Sequence, residues 1–273
     1  MEPVQAQAGT GGSGQGGPVR AMFDLSGRTA LVTGGSRGLG LAIAAALGQM
    51  GARVAVAARR QEWLKGAAER LEREGVTYAT FTADVTDPGQ VAELVEGVAR
   101  WGGGPHVVVC AAGVAWGAPS LEMPPERMRW VLDVNVTGTY LVARECALRM
   151  REAGYGKVVA VASVVALVGQ PADVLDAVGY TASKGALVAL VRDLAVKWAP
   201  WGIRVNALAP GFVPTRLSAA VIERSHRRLV ESTPLGRLGT EADIQGAAVF
   251  LASPASDFIT GQTLVVDGGM SAW

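Results

Sequence analysis

The chain contains few of the residues that build disulfide frameworks or metal centres. Of its 273 residues, two are cysteine and two are histidine. Cys110 and Cys146 each stand alone among apolar residues, which excludes a disulfide-rich secreted scaffold and predicts a reduced, cytoplasmic protein. His106 and His226 are far apart in the sequence and belong to no cluster of ligand-type residues, so we expect no bound metal.

The chain also lacks a strong charge of either sign and a long apolar run. A formal net charge of +1 gives no electrostatic basis for binding nucleic acid or an anionic membrane. The longest nearly unbroken apolar run covers residues 158–169 and is too short to cross a bilayer. We therefore expect a small-molecule substrate as the partner, and neither a nucleic acid nor a membrane.

The first residues are rich in glycine, glutamine and alanine and contain no apolar segment of the kind found in signal peptides. Residues 1–21 are therefore predicted to form a flexible tail. No linker, change of composition or internal repeat interrupts the remaining chain, so residues 22–273 are predicted to form a single domain.

Apolar sequence is abundant, at 49%, and it is arranged as alternating strands and helices. The second predicted strand contains V-A-V-A, and such uninterrupted apolar runs are typical of strands that are buried on both faces. The alternation predicts an α/β protein with a doubly wound, parallel, seven-stranded sheet and helices on both faces. Strands are predicted at 29–32, 53–58, 77–83, 107–110, 158–162, 204–208 and 263–266, and one of the helices is a long one over Pro125–Ala153.

Two motifs point to chemistry. The first is T-G-G-S-R-G-L-G over Thr33–Gly40, between a predicted strand and a predicted helix, where backbone N–H groups and a helix N-terminus face a phosphate. The second is the pair Tyr180 and Lys184, which lie four residues apart and so share one helix face. Each motif alone has a plain structural interpretation, a glycine turn or a surface pair, but their combination favours a cofactor site beside a catalytic pair.

These motifs resemble those of the short-chain dehydrogenase/reductase family, from about Phe23 to the C-terminus. Within that family the chain looks most similar to gluconate 5-dehydrogenase-like and 3-oxoacyl-carrier-protein reductase-like members. The resemblance implies a Rossmann fold, hydride transfer, a homotetramer and a catalytic tetrad of Asn135, Ser163, Tyr180 and Lys184.

The residue types of that tetrad suit carbonyl reduction. A free phenol has a pKa near ~10, and an ammonium beside Tyr180 is expected to draw that pKa toward neutral pH. Lys184 would also hold the nicotinamide ribose, and Ser163 would donate a hydrogen bond to the substrate oxygen. Asn135 would anchor a water that connects Lys184 to solvent. The alternative for Asn135 and Ser163 is a purely structural role.

The choice of cofactor is predicted from the end of the second strand. An acidic residue there binds the adenosine ribose, whereas a basic one accommodates a 2′-phosphate. This chain has Arg59 and Arg60 at that turn and Arg37 in the glycine motif, which favours NADP(H); the alternative is that Arg59 and Arg60 only cap a helix or face water. By resemblance, the remaining cofactor contacts are Gly34, Ser36, Gly38, Leu39, Gly40, Asp84, Val85, Ala112, Gly113, Tyr180, Lys184, Pro210, Gly211, Val213 and Thr215.

The predicted substrate pocket is formed by Trp116, Ser163, Gln170, Val174 and Tyr180. Ser163 and Tyr180 are separated by more residues than is usual in the family, so we expect the extra loop, Gln170–Gly179, to wall the pocket. Residues 216–231 would form a mobile lid over it. The family usually has Asn-Asn-Ala-Gly after the fourth strand, where this chain has Cys110-Ala111-Ala112-Gly113. An asparagine that braces the centre of the sheet is therefore lost, which is expected to affect stability more than chemistry.

The sequence therefore predicts an NADP(H)-dependent oxidoreductase that interconverts a ketone and a secondary alcohol. A sugar acid or polyol is the expected substrate, as in the gluconate 5-dehydrogenase-like members. The alternatives are a 3-oxoacyl-carrier-protein reductase or other ketoreductase, which an apolar pocket would favour, and a non-catalytic NADP(H)-binding sensor.

Overall fold

The computed structural model describes residues 17–273. The strands are β1 (Thr29–Thr33), β2 (Arg53–Ala58), β3 (Tyr78–Thr82), β4 (Val107–Cys110), β5 (Gly156–Val161), β6 (Ile203–Pro210) and β7 (Thr263–Val266). The helices are α1 (Pro18–Ala21), α2 (Gly38–Gln49), α3 (Gln61–Arg73), α4 (Pro88–Gly102), α5 (Pro125–Leu132), α6 (Gly138–Ala153), α7 (Val178–Trp198), α8 (Ala219–Glu231) and α9 (Glu241–Ala252).

The strands form one sheet in the order β3-β2-β1-β4-β5-β6-β7, and all its pairings are parallel. β1 pairs with β2 on one side and with β4 on the other, so the chain reverses its direction across the sheet at this point. In open parallel sheets ligands bind beyond the carboxyl ends of the strands at such a reversal. The seven-stranded, doubly wound Rossmann fold predicted from the sequence is confirmed.

The core lies in two layers, one on each face of the sheet. One layer packs residues of α4, α6 and α7 against the sheet, and the other packs residues of α2, α3 and α9. The central strands alternate their side chains between the two layers: in β1, Leu31 enters the first layer and Val32 the second. Because both faces are covered, every residue of β1, β4 and β5 is buried.

The long helix predicted over Pro125–Ala153 is interrupted. Between α5 and α6, residues Asp133–Thr137 form a π-helical segment, which inserts an extra residue into the helical turn and turns Asn135 inward, where it is completely buried. The prediction of one regular helix is therefore wrong at the residues around Asn135.

Residues 1–16 of the predicted tail, which was expected over residues 1–21, lie outside the described residues. The last four residues of that tail form the short helix α1, which Pro18 begins. Within residues 17–273, none of the helices is long and apolar enough to cross a membrane.

Both cysteines are free and buried. Cys110 occupies the position at which the family usually has the first asparagine of its motif, and its thiol faces the carbonyl oxygen of Thr139 at 3.8 Å. Burial raises the pKa of the Cys110 thiol to about 12. The substitution therefore leaves a small, uncharged side chain in the core at the centre of the sheet.

Candidate active site

A cavity of about 1750 Å³ opens at the carboxyl ends of the strands. It runs from the glycine turn after β1, past the ends of β4 and β5, to the segment after β6 and the helix α8. The sheet therefore brings together residues that are far apart in sequence. Of the predicted cofactor residues, the cavity is lined by Gly34, Ser36, Arg37, Gly38, Leu39, Gly40, Arg59, Val85, Ala112, Gly113, Tyr180, Lys184, Pro210, Gly211, Val213 and Thr215.

The glycine turn has a shape that side chains would destroy. A Cβ on Gly34 would lie 2.6 Å from the backbone nitrogen of Ala112, and Gly34 also has a φ of +68°. A Cβ on Gly40 would lie 2.4 Å from the carbonyl oxygen of Gly34. These glycines let the turn, the start of α2 and the end of β4 approach one another, which leaves backbone and a helix N-terminus at the cavity surface. This surface fits the pyrophosphate of a dinucleotide.

Tyr180 and Lys184 lie one turn apart near the start of α7. The Lys184 ammonium is 5.5 Å from the centre of the Tyr180 ring and donates a hydrogen bond of 2.7 Å to the carbonyl oxygen of Val161, the last residue of β5. The amine is thus fixed between α7 and the sheet. Both side chains line the same cavity, as the motif predicts.

Burial controls the protonation of both groups. It lowers the pKa of the Lys184 amine from 10.5 to about 8. It raises the pKa of the Tyr180 phenol, an effect that a hydrogen bond with Ser163 partly offsets. The expectation that Lys184 lowers the pKa of Tyr180 is not met in this structure, because burial raises that pKa and Lys184 is not among the groups that shift it. With a pKa above its usual value of 10.0, the phenol carries its proton at neutral pH.

Ser163 follows β5 by two residues and is the N-cap of a short 3₁₀ helix, Val164–Ala166. Its hydroxyl oxygen accepts a weak hydrogen bond of 3.4 Å from the backbone of Val165. The side chain lines the cavity beside Tyr180. The Ser163 hydroxyl and the Tyr180 phenol are therefore close enough to reach one common atom in the cavity.

Asn135 supports the site without lining the cavity. Its amide nitrogen donates to the carbonyl oxygen of Val114 and to the Ser183 hydroxyl, both at 2.9 Å, and its oxygen accepts from the Val114 backbone at 2.8 Å. Ser183 in turn donates to the carbonyl oxygen of Tyr180 at 2.7 Å. The side chain of Asn135 therefore ties α7 to the segment after β4, the bridging role that the sequence left open as the structural alternative.

One end of the cavity is strongly cationic. Arg37, Arg59 and Arg216 line it, and Arg37 stacks on the ring of Trp63 with its guanidinium carbon 4.3 Å from the ring centre. The pKa of the Arg37 guanidinium is lowered, chiefly by burial. Repulsion from the nearby cations Arg216 and Arg59 lowers it further.

Two predicted cofactor residues do not line this cavity. Arg60 is exposed, pairs with Glu62 at 3.8 Å and stacks on Trp63 from 5.0 Å. Asp84 borders a smaller cavity that it shares with Arg59, and its carboxylate accepts hydrogen bonds from the backbone and hydroxyl of Thr86. Arg60 was predicted from its position at the end of a strand and Asp84 from the family resemblance, and neither fixes the direction of a side chain.

The opposite end of the cavity is walled by the loop 170–179 and by α8. The loop contributes Ala172, Asp173, Leu175, Asp176 and Ala177, and α8 contributes Ala220, Val221, Arg224, Ser225, Arg227, Arg228 and Glu231. Carboxylates and arginines therefore alternate with apolar groups on this wall.

Three residues predicted for the substrate pocket are elsewhere. Val174 is 2% exposed and packs in a small core with Val164, Val165, Leu229 and Met270. Trp116 lies outside the cavity, under the guanidinium of Arg127 at 4.1 Å. Gln170 is half-buried and does not line the cavity. The loop is irregular, so its sequence contains no period from which the inward-facing residues could be deduced.

α8 is fastened to the loop through its arginines. Arg224 donates to the carbonyl oxygens of Asp173 and Val174 at 3.3 and 2.9 Å, and the Ser225 hydroxyl donates to that of Asp173 at 3.2 Å. Arg228 pairs with the Asp173 carboxylate. α8 departs from helical geometry at Ser225, where φ is −128° and ψ is 19°. The segment predicted as a lid is therefore joined to the loop at two consecutive residues, Asp173 and Val174.

Sequence reasoning missed Trp63 as part of the site, and it placed Arg216 and Arg224 only within the predicted lid, with no individual role for either. Trp63 is the third residue of α3, four residues after Arg59, a position that is visible in the sequence. The approach of Arg216 to Arg37 depends on the return of the chain after β6, where a Cβ on Gly38 would lie 3.6 Å from Thr215. No local pattern encodes such a contact.

The fold and the site define a dinucleotide-binding oxidoreductase of the Rossmann type. The family described as enoyl-(acyl carrier protein) reductase matches residues 34–271. Gluconate 5-dehydrogenase of Gluconobacter oxydans is 36% identical over 252 residues, which are 92% of this chain and 97% of that protein. A 3-oxoacyl-[acyl-carrier-protein] reductase of Rickettsia prowazekii is 31% identical over 249 residues, 91% of this chain and 99% of that protein.

A crystal structure of gluconate 5-dehydrogenase from Burkholderia cenocepacia, in complex with NADP and tartrate, superposes with a TM-score of 0.88 at 35% identity and covers 93% of this chain and 99% of that chain. The chain belongs to the short-chain dehydrogenase/reductase family. It is an enzyme of the kind that acts on alcohol and ketone groups.

Proposed function

We propose that this enzyme interconverts a ketone and a secondary alcohol with NADP(H), and that its substrate is a sugar acid or polyol, as in gluconate 5-dehydrogenases. The observation that carries the proposal is the shared cavity. Tyr180, Lys184 and Ser163 line it at its middle, Arg37 and Arg59 at one end, and the charged wall of Asp173, Asp176 and Arg224 at the other.

The residues of this chain divide the acid–base work. Tyr180, whose phenol is protonated at neutral pH, donates its proton to the substrate oxygen as negative charge develops there. The Ser163 hydroxyl donates a hydrogen bond to the same oxygen. Lys184, held by Val161, places a positive charge beside the phenolate that remains. A nicotinamide cofactor bound in the cavity would supply the hydride for reduction, or accept it for oxidation.

The preference for NADP(H) rests on charge. The turn after β2 presents Arg59 to the cavity, with Arg37 and Arg216 beside it. Among residues 17–273, no carboxylate lies within 4.0 Å of these three guanidinium groups to neutralise them. A 2′-phosphate brings about two negative charges to such a site, whereas a bare ribose brings none. The relative from Burkholderia, crystallised with NADP, supports this assignment.

A second candidate is a 3-oxoacyl thioester reductase. It is favoured by the apolar part of the substrate wall, which includes Val164, Val165, Leu175, Phe212 and Val221, and by the Rickettsia relative. The carboxylate of Asp176 has no hydrogen-bond or salt-bridge partner among residues 17–273, although it lines the same wall. It favours a polar substrate, because an acyl chain would leave it without a partner. We therefore place the sugar acid or polyol first.

The test is steady-state turnover by the full-length enzyme. NADPH and NADH are compared against three carbonyl classes: a 5-oxo sugar acid, a ketose and a 3-oxoacyl thioester. We expect kcat/KM to be at least about tenfold higher with NADPH, and to be highest for the sugar acid or the ketose. Equal kcat/KM with the two cofactors contradicts the cofactor assignment, and a thioester preferred over both sugars contradicts the substrate assignment. Arg59→Asp should remove the preference for NADPH in the same assay.

A further inference from the structure

Trp63 lies at the cationic end of the cavity and is not part of the acid–base machinery. It is half-buried on α3 and lines the cavity together with Arg37 and Arg59. The guanidinium carbon of Arg37 is 4.3 Å from the ring centre, and that of Arg60 is 5.0 Å away. Both distances are within the range of a cation–π interaction, which tryptophan makes best among the aromatic residues.

Arg37 needs such a contact because its other close neighbours repel it. Arg216 and Arg59 are near enough that each lowers the pKa of its guanidinium, after the larger effect of burial. No acidic side chain within residues 17–273 is paired with Arg37. Glu241, which also lines the cavity, is already paired with Arg70 at 3.0 Å. A long side chain in this position would relax toward solvent unless an attractive surface held it.

We propose that Trp63 is a positioning residue, whose indole holds Arg37 within a cluster of three arginines, Arg37, Arg59 and Arg216, that binds the 2′-phosphate of NADP(H). The inference rests on the proposed cofactor preference and goes beyond it. It assigns a role to Trp63 and adds Arg216 to the phosphate site. It also removes Arg60 from that site, because Arg60 lies outside the cavity and stacks on the indole instead.

The arrangement prepares the site before the phosphate arrives. Holding one arginine in place removes part of the entropy loss that binding would otherwise include. The phosphate then supplies the negative charge that the cluster lacks, and a planar guanidinium can donate two parallel hydrogen bonds to it. Truncation of the indole should therefore weaken the phosphate contact selectively and leave the contacts of the adenosine unchanged.

The experiment measures binding alone, by isothermal titration of the full-length protein with adenosine 2′,5′-bisphosphate and with adenosine 5′-monophosphate. These probes share the adenosine and the 5′-phosphate and differ by the 2′-phosphate. For Trp63→Leu we expect the Kd of the bisphosphate to rise by about threefold to thirtyfold, the range of a partly desolvated cation–π contact. The Kd of the monophosphate should change by less than about twofold, and Trp63→Phe should recover part of the loss.

Two controls separate positioning from general damage. Trp101→Leu truncates another partly buried tryptophan, at the end of α4, and should leave both Kd values unchanged. In a double-mutant cycle, the loss for Trp63→Leu combined with Arg37→Met should be smaller than the sum of the two single losses, since the indole acts through Arg37.

The outcomes distinguish the inference from the proposed function. If the parent protein binds the two probes with equal affinity, the NADP(H) preference itself is wrong. If the parent prefers the bisphosphate but Trp63→Leu retains that preference, or weakens both probes equally, the role of Trp63 is wrong and the cofactor assignment stands. Additive losses in the cycle would also overturn the positioning role.

Discussion

At the residue scale, the site places a phenol and an amine in environments that move their pKa values in opposite directions. Burial raises the pKa of Tyr180 and lowers that of Lys184 to about 8. Such separation is typical of catalytic groups, which must hold defined protonation states at the working pH. Here the phenol is protonated at neutral pH, and the amine is brought close to its titration point.

Replacing Tyr180 by Phe should leave the fold and cofactor binding unchanged but reduce turnover by about 10²–10⁴-fold, because it removes only the proton donor. The measurement is kcat with NADPH and the best ketone of the panel, alongside the Kd of NADPH. Tyr140→Phe is a matched control, since Tyr140 is 38% exposed on α6 and does not line the cavity. Retention of more than about a tenth of the parent kcat would show that Tyr180 is not the acid.

Lys184 should reduce the stability of the protein below pH 8. There the amine is charged in both the folded and the unfolded chain, so the penalty of burying the charge applies in full. Between pH 8 and the unfolded value of 10.5, the unfolded chain holds a proton that the folded chain has released, so the contribution of this group to stability rises with pH.

We therefore expect Lys184→Met, although inactive, to unfold with a free energy on the order of 2 kcal/mol higher than the parent at pH 7. The gain should shrink as the pH approaches 10. Urea unfolding at the two pH values measures it, and Lys197→Met, at an exposed amine on the same helix, should show no such pH-dependent gain. A variant that is less stable than the parent at pH 7 would contradict the burial penalty.

At the element scale, most of the fold was predictable because its strands are short apolar runs that end in glycine turns or capped helices. α4 shows this well: Asp87 caps it by accepting hydrogen bonds from Gly89 and Gln90, Pro88 begins it, and Gly103 ends it with a φ of +74°. The local sequence encodes each of these signals. Tyr180 and Lys184 were predictable for the same reason, because a helix fixes their relative position.

The parts of the site that could not be predicted depend on long-range contacts or on irregular backbone. Asp133–Thr137 continues a helical pattern, so its π-helical geometry, which buries Asn135, is not visible in the sequence. Val174 faces a small core instead of the cavity because of its packing against Leu229 and Met270. The contact of Arg37 with Trp63 joins residues on different elements, and only the folded sheet brings them together.

The fastening of α8 to the loop leads to a prediction for substrate binding. Arg224 bonds two consecutive carbonyl oxygens of the loop, so Arg224→Met should loosen both segments. We expect KM for the ketone to rise by about tenfold, since hydrogen bonds to a charged donor are lost, and the Kd of NADPH to remain within about twofold.

Amide hydrogen exchange within residues 170–179 should increase in Arg224→Met. Arg227→Gln is the control: Arg227 is on the same helix, but it is paired only with Glu231, an exposed pair one turn away that contributes little. Equal exchange in the two variants would show that Arg224 does not fasten the lid.

At the scale of the whole molecule, the sheet ends in an uncovered strand. β7 is the last strand in the sheet order and pairs only with β6. Large apolar side chains are exposed in the segments before and after β7, Phe258 fully and Trp273 at 77%, and Val196 on α7 is also 77% exposed. Trp273 makes one hydrogen bond, from its indole nitrogen to the Ser232 carbonyl oxygen at 3.2 Å. An open edge with exposed apolar groups invites association.

We predict a homotetramer in which Trp273 is buried at a subunit contact and residues 22–273 act as one domain. Multi-angle light scattering at micromolar concentration should give about four times the chain mass of 28.2 kDa. Phe258→Glu places a charge at the sheet edge and should shift the mass to a smaller species, because an unpaired charge is strongly unfavourable in a buried contact. Leu121→Glu is the control, since Leu121 is equally exposed but follows the central strand β4. A parent protein that scatters as a monomer, or a Phe258→Glu variant that remains tetrameric, would show that this edge is not the contact.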